Sequence, residues 1–357
     1  MKIYVDTNIF YNDWFMRQSN FRYFFHYIAN ENEELLISKV VCEEVENIRR
    51  RETLEAIQKI KNELKSLVKL LPQPLAPDLS TAESYDFDFI EHLEDRCDNL
   101  EFLEYEEVSH REVVARALSN KKPFSDGEKG YRDTLIWLSL VHHLKKTKYK
   151  GDVVFLTNNT SDFFEKKGSE LTLHKDLVND LNTHDITAKI RPCDSLFSFV
   201  RDHVEKNENL VNNGLINDIL IEEGCKFFRN ISASELLNVL DGTSWAGLPL
   251  QNLIFSDVDV MEGLEDEHLE SGEELGKSEV FLSYTFNIRI LEIWLEVPKL
   301  DYFSRQSDFD REFYEVTQKD NSVLLQTFIR PYFDISFIYN TQNDSYKDVS
   351  IACRRLR

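Results

Sequence analysis

The first half of the chain alternates between strand-like and helix-like patterns of apolar residues. Short apolar runs predict strands at residues 2–5, 35–37, 153–156 and 186–190. The run at 153–156 is unbroken, which is typical of a strand buried on both faces of a parallel sheet. Apolar residues at three- and four-residue steps predict helices at about 15–29, 39–71, 134–144 and 174–181, short helices within the acidic stretch 78–118, and another helix from 194. Strands that alternate with crossover helices predict an α/β domain around a parallel sheet.

The pattern changes after about residue 200. Helical segments are predicted at 208–228 and 233–240, and alternating apolar and polar positions predict antiparallel strands at 280–297, 323–339 and 347–353. The stretch 261–274 holds seven acids and little apolar content, so we expect an exposed or mobile loop there. The sequence therefore predicts two domains, one over 1–203 and a smaller α+β or mostly-β domain over 204–357.

Charge and composition narrow the class of protein. The formal net charge is −22, divided as −8 over residues 1–200 and −14 over 201–357, so the chain as a whole repels a polyanion. Between residues 121 and 150 the balance reverses, and this basic run is either a solvated helix end or a contact for phosphates. No apolar run approaches the ~18 residues of a membrane span. The chain opens on a strand-like run and its five cysteines are scattered, so we expect a cytoplasmic protein without disulfides.

Polar side chains follow the predicted parallel strands. Asp6 ends the first strand, Glu43 and Glu44 lie shortly after the second, and Asp133 begins the apolar helix at 134–144. Each acid alone is typical of a turn or a helix cap. Together, at one edge of a sheet, they would repel each other unless a cation neutralised them, and carboxylates suit Mg²⁺ or Mn²⁺. Two such ions can activate water and stabilise a leaving phosphate oxygen.

Four segments resemble the motifs of PIN-domain nucleases, in the family's order. Ile3-Tyr4-Val5-Asp6-Thr7-Asn8 is similar to the opening strand, and Ser38 with Glu44-Val45 six residues on is similar to the second motif. Gly130-Tyr131-Arg132-Asp133-Thr134-Leu135-Ile136-Trp137 resembles the third motif of the larger bacterial proteins of this type. The segment from Phe155 to Phe163 resembles the fourth. The resemblance spans about residues 1–200 and implies a PIN-like parallel sheet flanked by helices.

The resemblance also implies roles for particular residues. Asp6, Glu44 and Asp133 fall where the family places its metal-binding carboxylates. At the fourth position many members have an acid where this chain has Asn159, which brings no charge, so Asp162 is an alternative ligand. Residues expected to orient the carboxylates or a water are Thr7, Asn8, Thr157 and Asn158. Independently of the resemblance, the basic run described above provides candidates to hold the substrate backbone, namely Lys129, Arg132, Lys145 and Lys146.

From these residues we expect a divalent-metal-dependent phosphodiesterase, in particular an endoribonuclease acting on single-stranded RNA with Mg²⁺ or Mn²⁺. The alternative is a PIN-like scaffold with weak or no catalysis that acts through protein contacts, which Asn159 and the negative charge favour. A phosphoacceptor domain with Asp6 phosphorylated is a third possibility, but it lacks the matching lysine and acidic pair. For the C-terminal domain we expect a protein partner or a second copy of the chain.

Overall fold

The computed structural model describes residues 1–11, 13–71, 78–124, 129–168, 170–203, 213–231, 236, 239, 245, 247–250 and 252–356. The chain divides into two compact units. The first comprises Met1–Arg17 and Phe21–Phe199, and the second comprises Gln18–Asn20 and Val200–Arg357. Most of the helix predicted at 233–240 lies outside the described residues. Among the described residues, no helix is both long and apolar enough to cross a lipid bilayer.

The first unit is built around a five-stranded parallel sheet. Its elements in chain order are β1 (Lys2–Val5), a 3₁₀ turn (Thr7–Phe10), α1 (Ser19–Asn30), β2 (Glu34–Ser38), α2 (Lys39–Val68), α3 (Ser80–Ser84), α4 (Phe89–Glu94), β3 (Leu100–Leu103), α5 (His110–Leu118), α6 (Tyr131–Thr147), β4 (Asp152–Leu156), α7 (Thr160–Phe163), β5 (Phe164–Lys167), β6 (Glu170–Leu173), α8 (Lys175–Thr183), β7 (Lys189–Cys193) and α9 (Leu196–His203). The sheet order is β3-β2-β1-β4-β7, and β5 and β6 form a separate hairpin. The predicted α/β class with a parallel sheet is confirmed.

The central strands of this sheet end at the same level. Val5 of β1 pairs with Ile37 of β2 on one side and with Leu156 of β4 on the other. β1 and β4 also mark the point where the chain stops adding strands on one side and starts on the other. In sheets of this kind, ligands bind at the carboxyl ends of the strands at that point. The side chains that follow β1, β2 and β4 are therefore placed together by the strand order.

The second unit is dominated by a strongly paired antiparallel sheet. Its elements in chain order are α10 (Asn213–Asn230), β8 (Ile254–Gly276), β9 (Glu279–Pro298), α11 (Lys299–Ser304), α12 (Gln306–Glu312), β10 (Glu315–Gln318), β11 (Ser322–Ile329), β12 (Pro331–Asn340) and β13 (Ser345–Leu356). β9 pairs with β8 along its length on one side, and with β11 and then β12 on the other. β10 and β13 complete the sheet beyond β11 and β12. The predicted β-rich C-terminal domain is confirmed.

The prediction of a loop at 261–274 was wrong, because this stretch lies within β8. It pairs with β9, whose side chains are mostly buried, and thereby gains the hydrogen bonds and apolar cover that its own composition cannot supply. Its acids have cationic partners, with Arg289 contacting Glu262 at 3.0 Å and Arg330 contacting Glu265. Acids along an edge strand also oppose pairing with another chain. The sequence patterns likewise missed β3, β10 and the β5–β6 hairpin.

Gly224 brings α10 close to this sheet. A β-carbon on Gly224 would lie 2.9 Å from Ile288 Cδ1 and 3.3 Å from Phe333 Cε2. We expect Gly224→Leu to destabilise the second unit by about 2 kcal/mol through overpacking, despite the better helix propensity of leucine. Gly263→Leu is the matched control, since nothing lies within 4 Å of its β-carbon position. Urea unfolding followed by circular dichroism measures both, and equal stabilities would contradict this account of the packing.

Candidate active site

Asp6 is the centre of the polar cluster at the strand ends. Its side chain is 2% exposed, and its two oxygens accept hydrogen bonds from different sides. Oδ1 accepts from the Thr7 backbone N–H at 2.7 Å, and Oδ2 accepts from Thr157 Oγ1 at 2.6 Å and Asn8 Nδ2 at 2.8 Å. The segments after β1 and β4 are thus joined through one carboxyl group. A further bond from the Asn158 backbone N–H to Asn8 Oδ1, at 2.8 Å, closes the same junction.

Glu44 reaches the cluster from α2. Ser38 ends β2 and caps this helix by accepting a hydrogen bond from the Val40 N–H at 3.3 Å, which fixes where the first turn begins. Val45 is fully buried, so its neighbour Glu44 is held at the edge of the core. Thr7 Oγ1 donates to Glu44 Oε2 at 2.9 Å. The spacing between Ser38 and Glu44 therefore reflects a capped helix docked beside β1.

Asp133 lies in the first turn of α6, which begins after Gly130. Gly130 has φ +110°, and a β-carbon there would lie 2.5 Å from the backbone oxygen of Pro123. Only glycine accommodates both the left-handed conformation and this close approach. The glycine of the third motif thus sets the start of α6 and, three residues later, the position of Asp133.

The three acids interact electrostatically. Burial raises the pKa of Asp6 to about 7, and the charges of Asp133 and Glu44 add to this, opposed by the hydrogen bonds from Thr157 and Thr7. Burial also raises the pKa of Asp133, with contributions from Asp162 and Glu44. Ionised carboxylates at this location are therefore destabilised by one another and by loss of water. A cation nearby would relieve that destabilisation.

Basic and amide side chains of the chain itself occupy part of the cluster. Arg132 forms an ion pair with Glu44, and Lys122 Nζ lies 3.0 Å from Asp162 Oδ1. The amide of Asn159 lies between Asp133 and Asp162. It donates to Asp162 Oδ2 at 2.9 Å and to Asp133 Oδ1 at 3.4 Å. Because both neighbours are carboxylates, the Asn159 amide turns its NH₂ group toward them. Ligation through its carbonyl oxygen would require the amide to flip.

A buried network holds Lys122 in place. Arg116 Nε donates to the backbone oxygen of Lys122 at 2.7 Å, and its guanidinium also contacts Asp180 at 2.6 Å. The indole of Trp137 donates to the same Asp180 oxygen at 2.8 Å, and Asp176 accepts from the Lys122 N–H at 3.1 Å. The lysine is thus presented to Asp162 by a fixed backbone.

The structure does not bring every predicted residue to the cluster. Lys145 and Lys146 lie near the far end of α6, about 18 Å along the helix from Asp133. There they contact His184 at 3.4 Å and Glu107 at 3.3 Å, respectively. Lys129 is exposed just before Gly130. Of the predicted substrate contacts, Arg132 is the one that touches an acid of the site.

The sequence analysis did not identify two residues that belong to the site, Lys122 and Tyr11. Lys122 stood in the basic run, but no spacing relates it to Asp162, so only the fold reveals the pair. Tyr11 follows the first motif directly and is 42% exposed beside the acids, where burial and the charge of Glu44 raise its pKa to about 12. An aromatic residue soon after the first motif is the signal that could have indicated it.

The comparison with family models decides the family. A model described as a PIN domain matches residues 3–163. This part of the chain is a PIN domain. The match includes all four motif segments, and PIN domains are generally nucleases that use divalent metal ions and bind nucleic acid. Neither the curated proteins nor the solved structures that were compared with the chain give a match.

The carboxylates of this cluster are chemically suited to a divalent ion, although they are not arranged around one position that an ion could occupy. Within the described ranges, no three His, Cys, Asp or Glu side chains are grouped so as to hold an ion. The donors are nevertheless hard carboxylate oxygens, and the charges of Asp133 and Glu44 add to the effect of burial in raising the pKa of Asp6. The partners of Glu44 and Asp162 are basic side chains that a bound ion would displace.

A change at Asn159 tests this account of the cluster. Asn159→Asp removes two amide hydrogen bonds and adds a carboxylate beside those of Asp133 and Asp162, so we expect a loss of about 1–3 kcal/mol in unfolding free energy in EDTA. Urea unfolding with and without Mn²⁺ measures it, and the loss should shrink when Mn²⁺ is present. Asn179→Asp is the control, because it adds the same charge at an exposed position on α8 that is not part of the cluster. Equal losses in the two variants would contradict the expectation.

Proposed function

We propose that this PIN domain hydrolyses phosphodiester bonds of single-stranded RNA with Mg²⁺ or Mn²⁺. The observation that carries the proposal is the convergence of Asp6, Glu44 and Asp133, which come from three different elements. Asp6 is almost completely buried, and the other two acids help to raise its pKa to about 7. Such an arrangement reduces stability unless it serves a cationic ligand.

Asp6, Glu44 and Asp133 are the residues proposed to hold the ion, with Asp162 as a fourth ligand once Lys122 is displaced. The chemistry that Mg²⁺ or Mn²⁺ supplies when bound at such a site is activation of water and stabilisation of the leaving oxygen. Thr7, Asn8 and Thr157 keep the carboxylates oriented through the hydrogen bonds described above. Asn158 supports this arrangement by joining the segment after β4 to Asn8.

The two basic side chains have a second role in this proposal. If Glu44 and Asp162 bound a cation, Arg132 and Lys122 would lose their carboxylate partners. Both would then have free N–H donors for a phosphate, Arg132 as a fork and Lys122 as a point charge. The same two residues would thus compensate the acids when no metal ion is bound and bind the phosphodiester when one is.

A non-catalytic scaffold is the second candidate function. It is favoured by the pairs Arg132–Glu44 and Lys122–Asp162, because these already balance two acids without a metal ion. In that case the cluster is a polar junction that joins the segment after β1 to α2 and α7. The two functions differ in what happens when a divalent ion is added.

Cleavage of labelled RNA separates them. We expect the wild-type protein to cleave fluorescein-labelled single-stranded RNA in Mn²⁺ or Mg²⁺ and to be inert in EDTA. Asp133→Asn should lower the rate by at least about 100-fold and abolish the rise in melting temperature on adding Mn²⁺, because it removes a ligand. Asp98→Asn, at an exposed position, is the control. A folded wild-type protein with no cleavage of RNA or DNA in either ion would favour the scaffold.

Lys122 provides a test that does not depend on turnover. In this proposal its ammonium group competes with the ion for Asp162, so Lys122→Met should bind Mn²⁺ several-fold more tightly than wild type in isothermal titration. The same variant should be slightly less stable in EDTA, because Asp162 loses its partner. Lys121→Met, a change at the exposed neighbouring lysine, should leave both quantities unchanged. Unchanged affinity in Lys122→Met would exclude competition at Asp162.

A further inference from the structure

A group of arginines beside the acids has no acidic partner. Arg17, Arg49 and Arg50 form no ion pair with any carboxylate in the described part of the chain, and the only side-chain hydrogen bond among them joins Arg50 to Asn47 at 3.2 Å. This is unusual in a chain with 64 acids and a net charge of −22. Other arginines of the same unit, such as Arg132, are paired with carboxylates. Unpaired guanidinium groups at one place indicate a surface that can bind an anion.

Aromatic rings surround these guanidinium groups. The Cζ atom of Arg49 lies 4.5 Å from the ring centroid of Phe87, 5.0 Å from that of Tyr85 and 5.5 Å from that of Phe15. Arg17 lies over the ring of Phe15 at 4.7 Å. When a guanidinium group stacks on a ring, the contact uses the flat face of the guanidinium. Its N–H groups point outward along the edge and stay available for a phosphate. Tyr85 is itself 45% exposed, so one ring face can accept a further planar group.

Arg49, Arg50, Tyr85 and Phe87 line an open pocket of about 390 Å³, together with Asn47, Glu43, Glu46 and Asp86. Two of these three acids accept hydrogen bonds from neutral neighbours, which position them but leave them negatively charged. The phenol of Tyr105 donates to Glu43, with both carboxylate oxygens at 3.0 Å, and the Phe89 N–H donates to Glu46 at 3.2 Å. Together with the exposed Asp86 they repel a phosphate, so its contacts are expected at the guanidinium groups of Arg49 and Arg50.

The pocket is rigidly connected to the candidate active site. Glu44 and Arg50 lie on the same helix, α2, at a distance of about 9 Å along its axis. A second connection runs through aromatic rings. The exposed ring of Tyr11, beside the acids, contacts the ring of Trp14 at 5.6 Å between centroids, and the next residue in sequence is Phe15. A nucleic-acid strand with one phosphate at the acids can therefore continue over these rings toward Tyr85.

We propose that Arg17, Arg49, Arg50, Tyr85 and Phe87 form a subsite for single-stranded nucleic acid. The guanidinium groups bind phosphates, and the exposed ring of Tyr85 stacks with an unpaired base. A duplex does not fit this description, because its base faces are covered by their neighbours. The position of this subsite relative to the cleaved bond rests on the function proposed above. Binding of a single strand to the subsite does not require hydrolysis.

Binding in EDTA tests the subsite without cleavage. The probe is a fluorescein-labelled 12-nucleotide single-stranded RNA of mixed sequence, and the readout is anisotropy with the full chain. We expect Tyr85→Ala to weaken binding about tenfold and Tyr85→Phe to restore it, since stacking needs the ring but not the hydroxyl. Arg17→Gln and Arg50→Gln should each weaken binding and reduce the slope of log K against log salt by about 0.7. An unlabelled duplex of the same sequence should compete poorly.

Matched controls separate the subsite from general effects. Arg51→Gln removes a charge from the same helix at a residue paired with Glu55 at 3.9 Å, and Tyr314→Ala removes an exposed ring from the other unit. Both should bind like wild type, and melting temperatures show that each variant is folded. Equal binding by all variants, no binding by wild type, or equal competition by duplex would overturn the proposal. The first of these results is also the one expected if the pocket serves a protein partner.

Failure of the subsite and failure of the proposed hydrolysis give different results. If Tyr85→Ala loses binding while wild type never cleaves RNA, the subsite holds and the hydrolase function fails. If wild type cleaves RNA and Tyr85→Ala binds normally, the reverse is true. Arg49→Lys adds a specific readout, because lysine keeps the charge but loses the planar fork, and binding should weaken at every salt concentration with little change in slope.

Discussion

Repulsion between carboxylates at the end of β1 is the constraint on which the first unit depends. The strand order places the residues after β1, β2 and β4 together, and Asp6 is buried there among Glu44 and Asp133. The fold tolerates this through short hydrogen bonds to Asp6 and through basic partners for its neighbours. Those same partners, Arg132 and Lys122, have N–H groups suited to a phosphate. Compensation of the acids and recognition of a substrate can therefore be performed by one set of residues.

The second unit handles a larger excess of acids in a different way. There the acids are spread along β8, at the edge of the sheet, where water screens them and Arg289 and Arg330 pair with some of them. Spread charge of this kind discourages pairing with another strand. The two units thus show that the number of acids matters less than whether the fold makes them converge.

The fold and the family were predictable because their signals are local. The run before Asp6, the buried strand before Thr157 and the glycine before α6 each fix a conformation over a few residues, and the parallel sheet and the PIN family are confirmed. β8 was not predictable, since its stability comes from β9 and not from its own composition. The metal-ligand set stays a prediction, because spacing cannot reveal that Lys122 reaches Asp162.

The aromatic and arginine cluster illustrates the same limit in a stronger form. Its members come from the segments around Phe15, Arg49 and Tyr85, and in each segment alone an arginine or an aromatic residue is unremarkable. Their meaning depends on a comparison that only the fold allows, namely which cations lack an acid in a chain that is rich in acids. A strongly negative protein can bind a polyanion only where it has cations that its own carboxylates do not occupy, because elsewhere those carboxylates repel the ligand. In the described part of the first unit, this cluster combines guanidinium groups that have no ion pair with aromatic faces, close to the acids of the PIN domain.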